Sequence, residues 1–201
     1  MTENHSSNLD VCFVVASSSQ KSYQELAKQY AAIEPPTWAL LLAQSCRSIN
    51  FKVNIIDANA ENLSKEQVLK RIIKLNPRIV CFVVYGQNVN AGTTNMRGAV
   101  DLANFLKINK ISCPVSFIGS HVQALPIQTL ENEKNIDIVF TNEGVYSLRN
   151  ILKLKDFTPE SLGEVKGIAY RKKGEIKINL PEKIVPTGRM DIDLPGYAWD
   201  L

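Results

Sequence analysis

Five short apolar runs punctuate the first 141 residues: Val11–Ala16 (VCFVVA), Lys52–Asp57 (KVNIID), Ile79–Tyr85 (IVCFVVY), Val115–Gly119 (VSFIG) and Ile136–Thr141 (IDIVFT). Most are rich in Val, Ile and Phe and nearly continuous rather than alternating, the pattern of strands buried on both faces. Stretches with helical spacing fall between them. Thr37–Ile49 follows Pro35-Pro36. Ser64–Leu75 opens with Ser64 as N-cap and Gln67 three residues on, a capping box, and stops at Asn76-Pro77. Asn95–Ile108 and Tyr146–Leu154 follow, and a shorter turn near Pro126–Leu130 fills the fourth connection. Strand and helix alternating in this way predict an α/β fold, a five-stranded parallel, doubly wound sheet with helices on both faces.

The pattern changes after residue 154. Gly167–Arg171 and Glu175–Leu180 flank Lys172-Lys173-Gly174, which predicts a β-hairpin. The last stretch, PEKIVPTGRMDIDLPGYAWDL, is rich in Pro and Asp with little periodicity and is expected to be an extended tail or linker. The chain is accordingly divided into residues 1–155, the sheet domain, and 156–201, the hairpin and linker.

Ligands of open α/β sheets bind beyond the carboxyl ends of the strands. The segments to inspect are therefore Ser17-Ser18-Ser19-Gln20, Ala58-Asn59, Gly86-Gln87-Asn88, Ser120-His121 and Asn142-Glu143-Gly144. They are small, polar and, Glu143 apart, uncharged, which suits a bulky neutral ligand with a polar rim. Composition narrows the classes. With 45% hydrophobic and 21% charged residues the chain is expected to be soluble and globular, and a net charge of +3 gives no electrostatic argument for nucleic acid. No apolar run approaches the length of a membrane span, and the polar start MTENHSSNLD is unlike a secretory signal, so a cytoplasmic location is expected. Cys12, Cys46, Cys81 and Cys113 are isolated, mostly in apolar runs, and are expected to be buried free thiols.

Known site signatures are sparse. The first strand is followed by ASSSQKS, with no glycine for a dinucleotide fingerprint, and there is no P-loop. Tyr85-Gly86 stand where a response regulator needs an aspartate. Ser17, Ser18, Ser19 and Ser22 fit either a flavodoxin-like phosphate loop or a serine-rich surface loop. No nucleophile elbow, HExxH or Ser/His/Asp arrangement is present. His121 has no second His or Cys close in sequence, so a structural or pocket-lining role is favoured over metal ligation.

One family carries these features in the same order. EPPTWALLLAQSCRSINFKVNIIDANAENLS, with Glu34-Pro35-Pro36, Asp57-Ala58, Glu61 and Leu63-Ser64, resembles the N-terminal cobalamin-binding domain of cobalamin-dependent radical S-adenosylmethionine enzymes. IGSHVQALPIQTL is similar to the family's Gly-Gly-x-His-x-x-x-x-Pro segment, and DIVFTNEGVYSL to its Gly-Glu-Gly-Glu segment. GIAYRKKGEI and DIDLPGYAWDL resemble the hairpin and linker that lead into the radical domain. The chain departs from the pattern at Ser120 and Asn142, where the family has glycine. It lacks the CxxxCxxC that holds the iron–sulfur cluster, and it lacks the DxHxxG whose histidine ligates cobalt in other cobalamin proteins.

The resemblance implies a Rossmann-like domain that binds cobalamin for a radical S-adenosylmethionine methyltransferase or cyclase. The iron–sulfur cluster and S-adenosylmethionine would belong to a radical domain acting in cis or in trans, and this chain alone is expected to be inactive. Tyr85, Gly86, Gly119, Ser120, His121, Asn142, Glu143 and Gly144 would then wall the pocket for the cofactor's nucleotide tail. Ser17, Ser18, Ser19 and Gln87 would face the corrin, and no residue would coordinate cobalt. A side chain at Gly119 is expected to project toward the ligand without harming the fold. Two alternatives stay open: a flavodoxin-like flavin or nucleotide binder, and a degenerate interaction module without ligand.

Overall fold

The structure is a computed structural model, and it describes residues 9–16, 34–85 and 89–201. The strands are β1 (Leu9–Val15), β2 (Val53–Asp57), β3 (Pro77–Val83), β4 (Val115–Ile118), β5 (Ile138–Phe140), β6 (Ile168–Lys172) and β7 (Glu175–Ile178). They form one sheet in the order β2-β1-β3-β4-β5-β6-β7. The first five are parallel, and β6 and β7 run antiparallel.

The helices are α1 (Thr37–Arg47), α2 (Lys65–Leu75), α3 (Val89–Ile108), α4 (Ser120–Ala124), α5 (Pro126–Asn132), α6 (Val145–Leu152), α7 (Pro159–Leu162) and α8 (Met190–Asp193). The capping box forms as the spacing predicts. Ser64 Oγ accepts from the Gln67 N–H at 3.3 Å, and Gln67 Oε1 accepts from the Ser64 N–H at 2.8 Å. Asn76 ends α2 in the left-handed conformation (φ 44°) just before Pro77.

Side chains of the continuous apolar runs alternate between two cores. Val11 and Phe13 of β1 and Ile79, Cys81 and Val83 of β3 face α1 and α6. Cys12, Val14, Val80, Phe82 and Val84 face the opposite layer, with Val68 and Ile72 of α2 and Leu102 and Leu106 of α3. Both faces are covered, which is why the runs do not alternate with polar residues.

The expected five-stranded sheet is corrected to seven strands. The hairpin is not a separate appendage, because β6 pairs with β5, Ile138 opposite Tyr170 and Phe140 opposite Ile168. Ile168, Ala169 and Tyr170 are buried, so adding β6 removes apolar surface from water and leaves β5 without an open edge. Arg171 fixes the pairing by donating to the carbonyls of Leu130, Ile136 and Glu133. The turn is a two-residue loop, Lys173 (φ 52°) and Gly174 (φ 84°), the positive-φ pair that suits the twist of a hairpin. The tail is also not simply extended. It contains α8, and Val185, Asp193 and Ala198 are buried.

All four cysteines are free and buried. Burial pushes every thiol up, Cys81 to about 12. The folded chain is therefore expected to resist an aromatic disulfide reagent at pH 8, while the denatured chain titrates all four thiols. Rapid reaction of the native protein would contradict this packing. Among the described residues no helix is long and apolar enough to cross a membrane.

Candidate functional site: the carboxyl edge of the sheet

Strand order reverses between β1 and β3, where β2 lies to one side and β4 and β5 to the other. In open α/β sheets such a switch point, outside the carboxyl ends of the strands, is where ligands bind. The edge is built from Ala16 after β1, Ala58-Asn59 after β2, Val84-Tyr85 after β3, Gly119-Ser120-His121 after β4 and Asn142-Glu143-Gly144 after β5. Ser17, Ser18, Ser19, Gly86 and Gln87 lie outside the described residues.

Gly119 does not mark an opening. A Cβ there would stand 2.2 Å from the Val84 carbonyl oxygen and 2.8 Å from its carbon. The absent side chain lets β3 and β4 close on one another, and Val84 N–H donates to Ile118 O at 2.7 Å beside it. The expectation that a side chain at Gly119 would point at a ligand is thereby corrected: it would meet sheet backbone.

Ser120 follows at the start of α4. Its hydroxyl is buried, the residue is only half-buried, and the hydroxyl has no hydrogen-bond partner among the described residues. A buried hydroxyl without a partner is unfavourable unless something polar reaches it. His121 is half-buried, and its Nδ1 lies 3.5 Å from Thr93 Oγ1 on α3. Among the described residues no group of three His, Cys, Asp or Glu side chains is placed to hold a metal ion.

The β5–α6 loop is tightly organised. Gly144 has φ +82°, and a Cβ there would fall 2.0 Å from Ile118 Cδ1. Asn142 Oδ1 accepts from the Gly144 N–H at 2.9 Å, and its Nδ2 donates to Glu182 O at 3.0 Å. Glu143 Oε1 accepts from the Val185 N–H at 2.6 Å, so this carboxylate is engaged by the tail.

Two contributors were not picked out from the sequence. Trp38, in the first turn of α1, donates its indole N–H to Glu143 O at 3.2 Å and tilts its ring against Tyr85 with centroids 5.5 Å apart. Asn95 on α3 donates to Tyr85 O at 3.3 Å. Trp38 lies within an amphipathic helix pattern, and no local signal distinguishes an edge-facing indole from a core one. Tyr85 is partly buried, and burial first, then the charges of Glu143 and Cys81, pushes its phenol up to about 12. It stays neutral at physiological pH, a flat, uncharged wall. Among the described residues the edge thus offers an aromatic pair, small residues and one unsatisfied hydroxyl, suited to a flat ligand with polar groups.

Residues 25–152 match the profile of the B12 binding domain. The uncharacterized methyltransferase PH0819 of Pyrococcus horikoshii is 27% identical over 163 residues, 81% of this chain and 33% of that protein. Among solved structures, apo OxsB, a cobalamin-dependent S-adenosylmethionine radical enzyme, superposes with a TM-score of 0.65 at 19% identity, over 96% of this chain and 24% of its own. The radical S-adenosylmethionine methyltransferase TsrM of Kitasatospora setae, with cobalamin and a [4Fe-4S] cluster bound, gives a TM-score of 0.60 at 15% identity, over 90% of this chain and 30% of its own. The chain thus spans about a third or less of each of these proteins. The chain belongs to the B12 binding domain family.

Proposed function

We propose that this chain is the cobalamin-binding part of a radical S-adenosylmethionine methyltransferase or cyclase. On this reading residues 1–155 hold the cofactor and 156–201 lead toward a cytoplasmic radical domain in cis or in trans. The iron–sulfur cluster and S-adenosylmethionine belong to that domain. The observation that carries the reading is the buried Ser120 hydroxyl, without a partner among the described residues, at the carboxyl edge of a fold whose family is the B12 binding domain. The radical context is supported by the names of OxsB and TsrM, and the methyltransferase reading by those of PH0819 and TsrM.

The residues fit the group. Ser120 and His121 hydrogen-bond the nucleotide tail, Tyr85 and Trp38 form an apolar wall, and the Asn142-Glu143-Gly144 loop closes the pocket. Gly86 would add to the wall of the tail pocket, and Ser17, Ser18, Ser19 and Gln87 would face the corrin. When bound, cobalamin supplies cobalt-based radical or group-carrier chemistry. The protein's part is to fix the cofactor's orientation and to leave the cobalt without a protein ligand. His121 follows β4, whereas the edge beside β1 is the place from which the cobalt-ligating histidine of other cobalamin proteins comes.

The purified chain is expected to retain hydroxocobalamin through desalting, visible as the corrin absorption spectrum. His121→Ala is expected to weaken binding by about tenfold or less, the worth of one net hydrogen bond. The cob(II)alamin complex should show no axial-nitrogen splitting by electron paramagnetic resonance in either protein. Splitting present in wild type and lost in His121→Ala would make His121 the ligand and overturn this arrangement. A chain that elutes colourless would overturn the function itself.

A further inference from the structure

A cleft of about 600 Å³ lies between α6 and the tail, lined in part by Tyr146, Arg149, Lys153, Lys183 and Arg189 around Asp193. Its cationic lining suits an anion, and the chain supplies one. Arg149 Nη1 donates to Asp193 Oδ1 at 2.8 Å, and Nη2 donates to the Asp193 carbonyl at 2.8 Å and the Ser45 carbonyl at 3.0 Å. Arg189 Nε and Tyr146 Oη both donate to Asp193 Oδ2, at 2.7 and 2.6 Å. The Arg149 and Asp193 side chains are only 8% and 5% exposed, so their pairing is largely shielded from solvent. One end of the tail is therefore latched onto the α1/α6 face.

The same segment reaches the candidate site at its other end. Glu182 O accepts from Asn142 Nδ2, and Val185 N–H donates to Glu143 Oε1. The second is a charge-assisted bond, and it turns the Glu143 carboxylate toward the tail. On its other side Glu143 O accepts from Trp38 Nε1. The loop that follows β5 is held between α1 and the tail.

We propose that residues 182–193 are a strap that sets the position of the Asn142-Glu143-Gly144 loop, with Asp193 as its latch and Glu143 as a positioning residue acting through Val185. The strap's effect on cofactor affinity rests on the cobalamin reading above; its effect on the loop does not. Because coupling between sites is reciprocal, cofactor binding then steadies the strap as the strap steadies the loop.

The test follows amide hydrogen exchange and hydroxocobalamin affinity in wild type, Asp193→Asn, Arg189→Gln, Glu143→Ala and Glu143→Gln. Ile72→Val, in the opposite core, is the control for general destabilisation. The Val185 and Gly144 amides are expected to exchange at least about tenfold faster in Asp193→Asn and measurably faster in Arg189→Gln, with the control unchanged at both. Affinity should fall about fivefold or more in Asp193→Asn and Glu143→Ala, within the usual range of site coupling. Glu143→Gln, which still accepts from the Val185 N–H, should stay within about twofold of wild type. If Asp193→Asn does not fold, Arg189→Gln and the two Glu143 variants decide the matter. A Val185 amide that speeds up while the Gly144 amide keeps its wild-type rate would overturn the strap, as would wild-type exchange in both latch variants. If no protein binds hydroxocobalamin, the cofactor reading fails, and Gly144 exchange in the free chain still decides the strap.

Discussion

Gly119→Leu is expected to damage the fold itself, and Gly119→Ala to do so through its first carbon alone. The added Cβ would lie 2.2 Å from the carbonyl oxygen of Val84. That oxygen belongs to the backbone at the end of β3, a central strand between β1 and β4, where the Val84 N–H is bonded to Ile118 O, and it has no rotamer by which to move away. Overpacking a core against movable side chains costs roughly 1–3 kcal/mol. A collision with strand backbone belongs at the top of that range or above, so about 3 kcal/mol is the minimum expected. For a chain of this length that is roughly 6–12 °C in melting temperature. Thermal denaturation followed by circular dichroism measures it, and a Gly119→Ala protein that melts with wild type would show that β3 and β4 are not in this contact. A loss of cobalamin binding in these variants therefore follows from the collapsed edge and reports nothing about where the cofactor lies.

Gly144→Ala has the second largest expected effect, for a different reason. Gly144 adopts φ +82°, a left-handed conformation that costs a residue with a Cβ roughly 1–2 kcal/mol. The new methyl would also stand 2.0 Å from Ile118 Cδ1, and Ile118 is fully buried. Ile118 can yield only by giving up packing against its neighbours, which adds roughly 1 kcal/mol or more. A total of about 2–4 kcal/mol is expected from the two causes. Urea denaturation at neutral pH checks the value. Because Gly144 opens α6 and its N–H is held by Asn142, the same variant should also lose cofactor affinity. A Gly144→Ala chain with wild-type stability would mean that this loop does not turn as described.

Much of the fold was legible in the order of the elements. Continuous apolar runs identify strands covered on both faces, because in β1 and β3 successive side chains enter different cores. The Ser64–Gln67 capping box and the Asn76-Pro77 stop are local, since each depends on groups within a few residues. The hairpin turn was equally local. The place of the hairpin was not. Whether β6 pairs with β5 depends on Arg171 meeting the carbonyls of Leu130, Glu133 and Ile136, which lie 35 to 41 residues away along the chain.

The candidate site divides in the same way. That the residues after each strand form the ligand edge follows from parallel topology, so Ser120, His121 and the Asn142-Glu143-Gly144 loop could be named from strand positions and family resemblance. What each one does there is tertiary. Gly119 proves to be small for the sake of Val84, and Glu143 proves to face Val185. Trp38 and Tyr85 meet across 47 positions of sequence. Asp193, which looked like one acidic residue in a polar tail, is buried between two arginines and a tyrosine. By itself the sequence determined the alternation of strands and helices and the family, because periodicity, caps and turns are short-range and survive as patterns of residue type. Only the tertiary structure decided which glycine makes room for backbone, which carboxylate faces the tail, and where that tail is latched. Those outcomes depend on atoms brought within a few ångströms by chain closure, and no local pattern records a contact between residues dozens of positions apart.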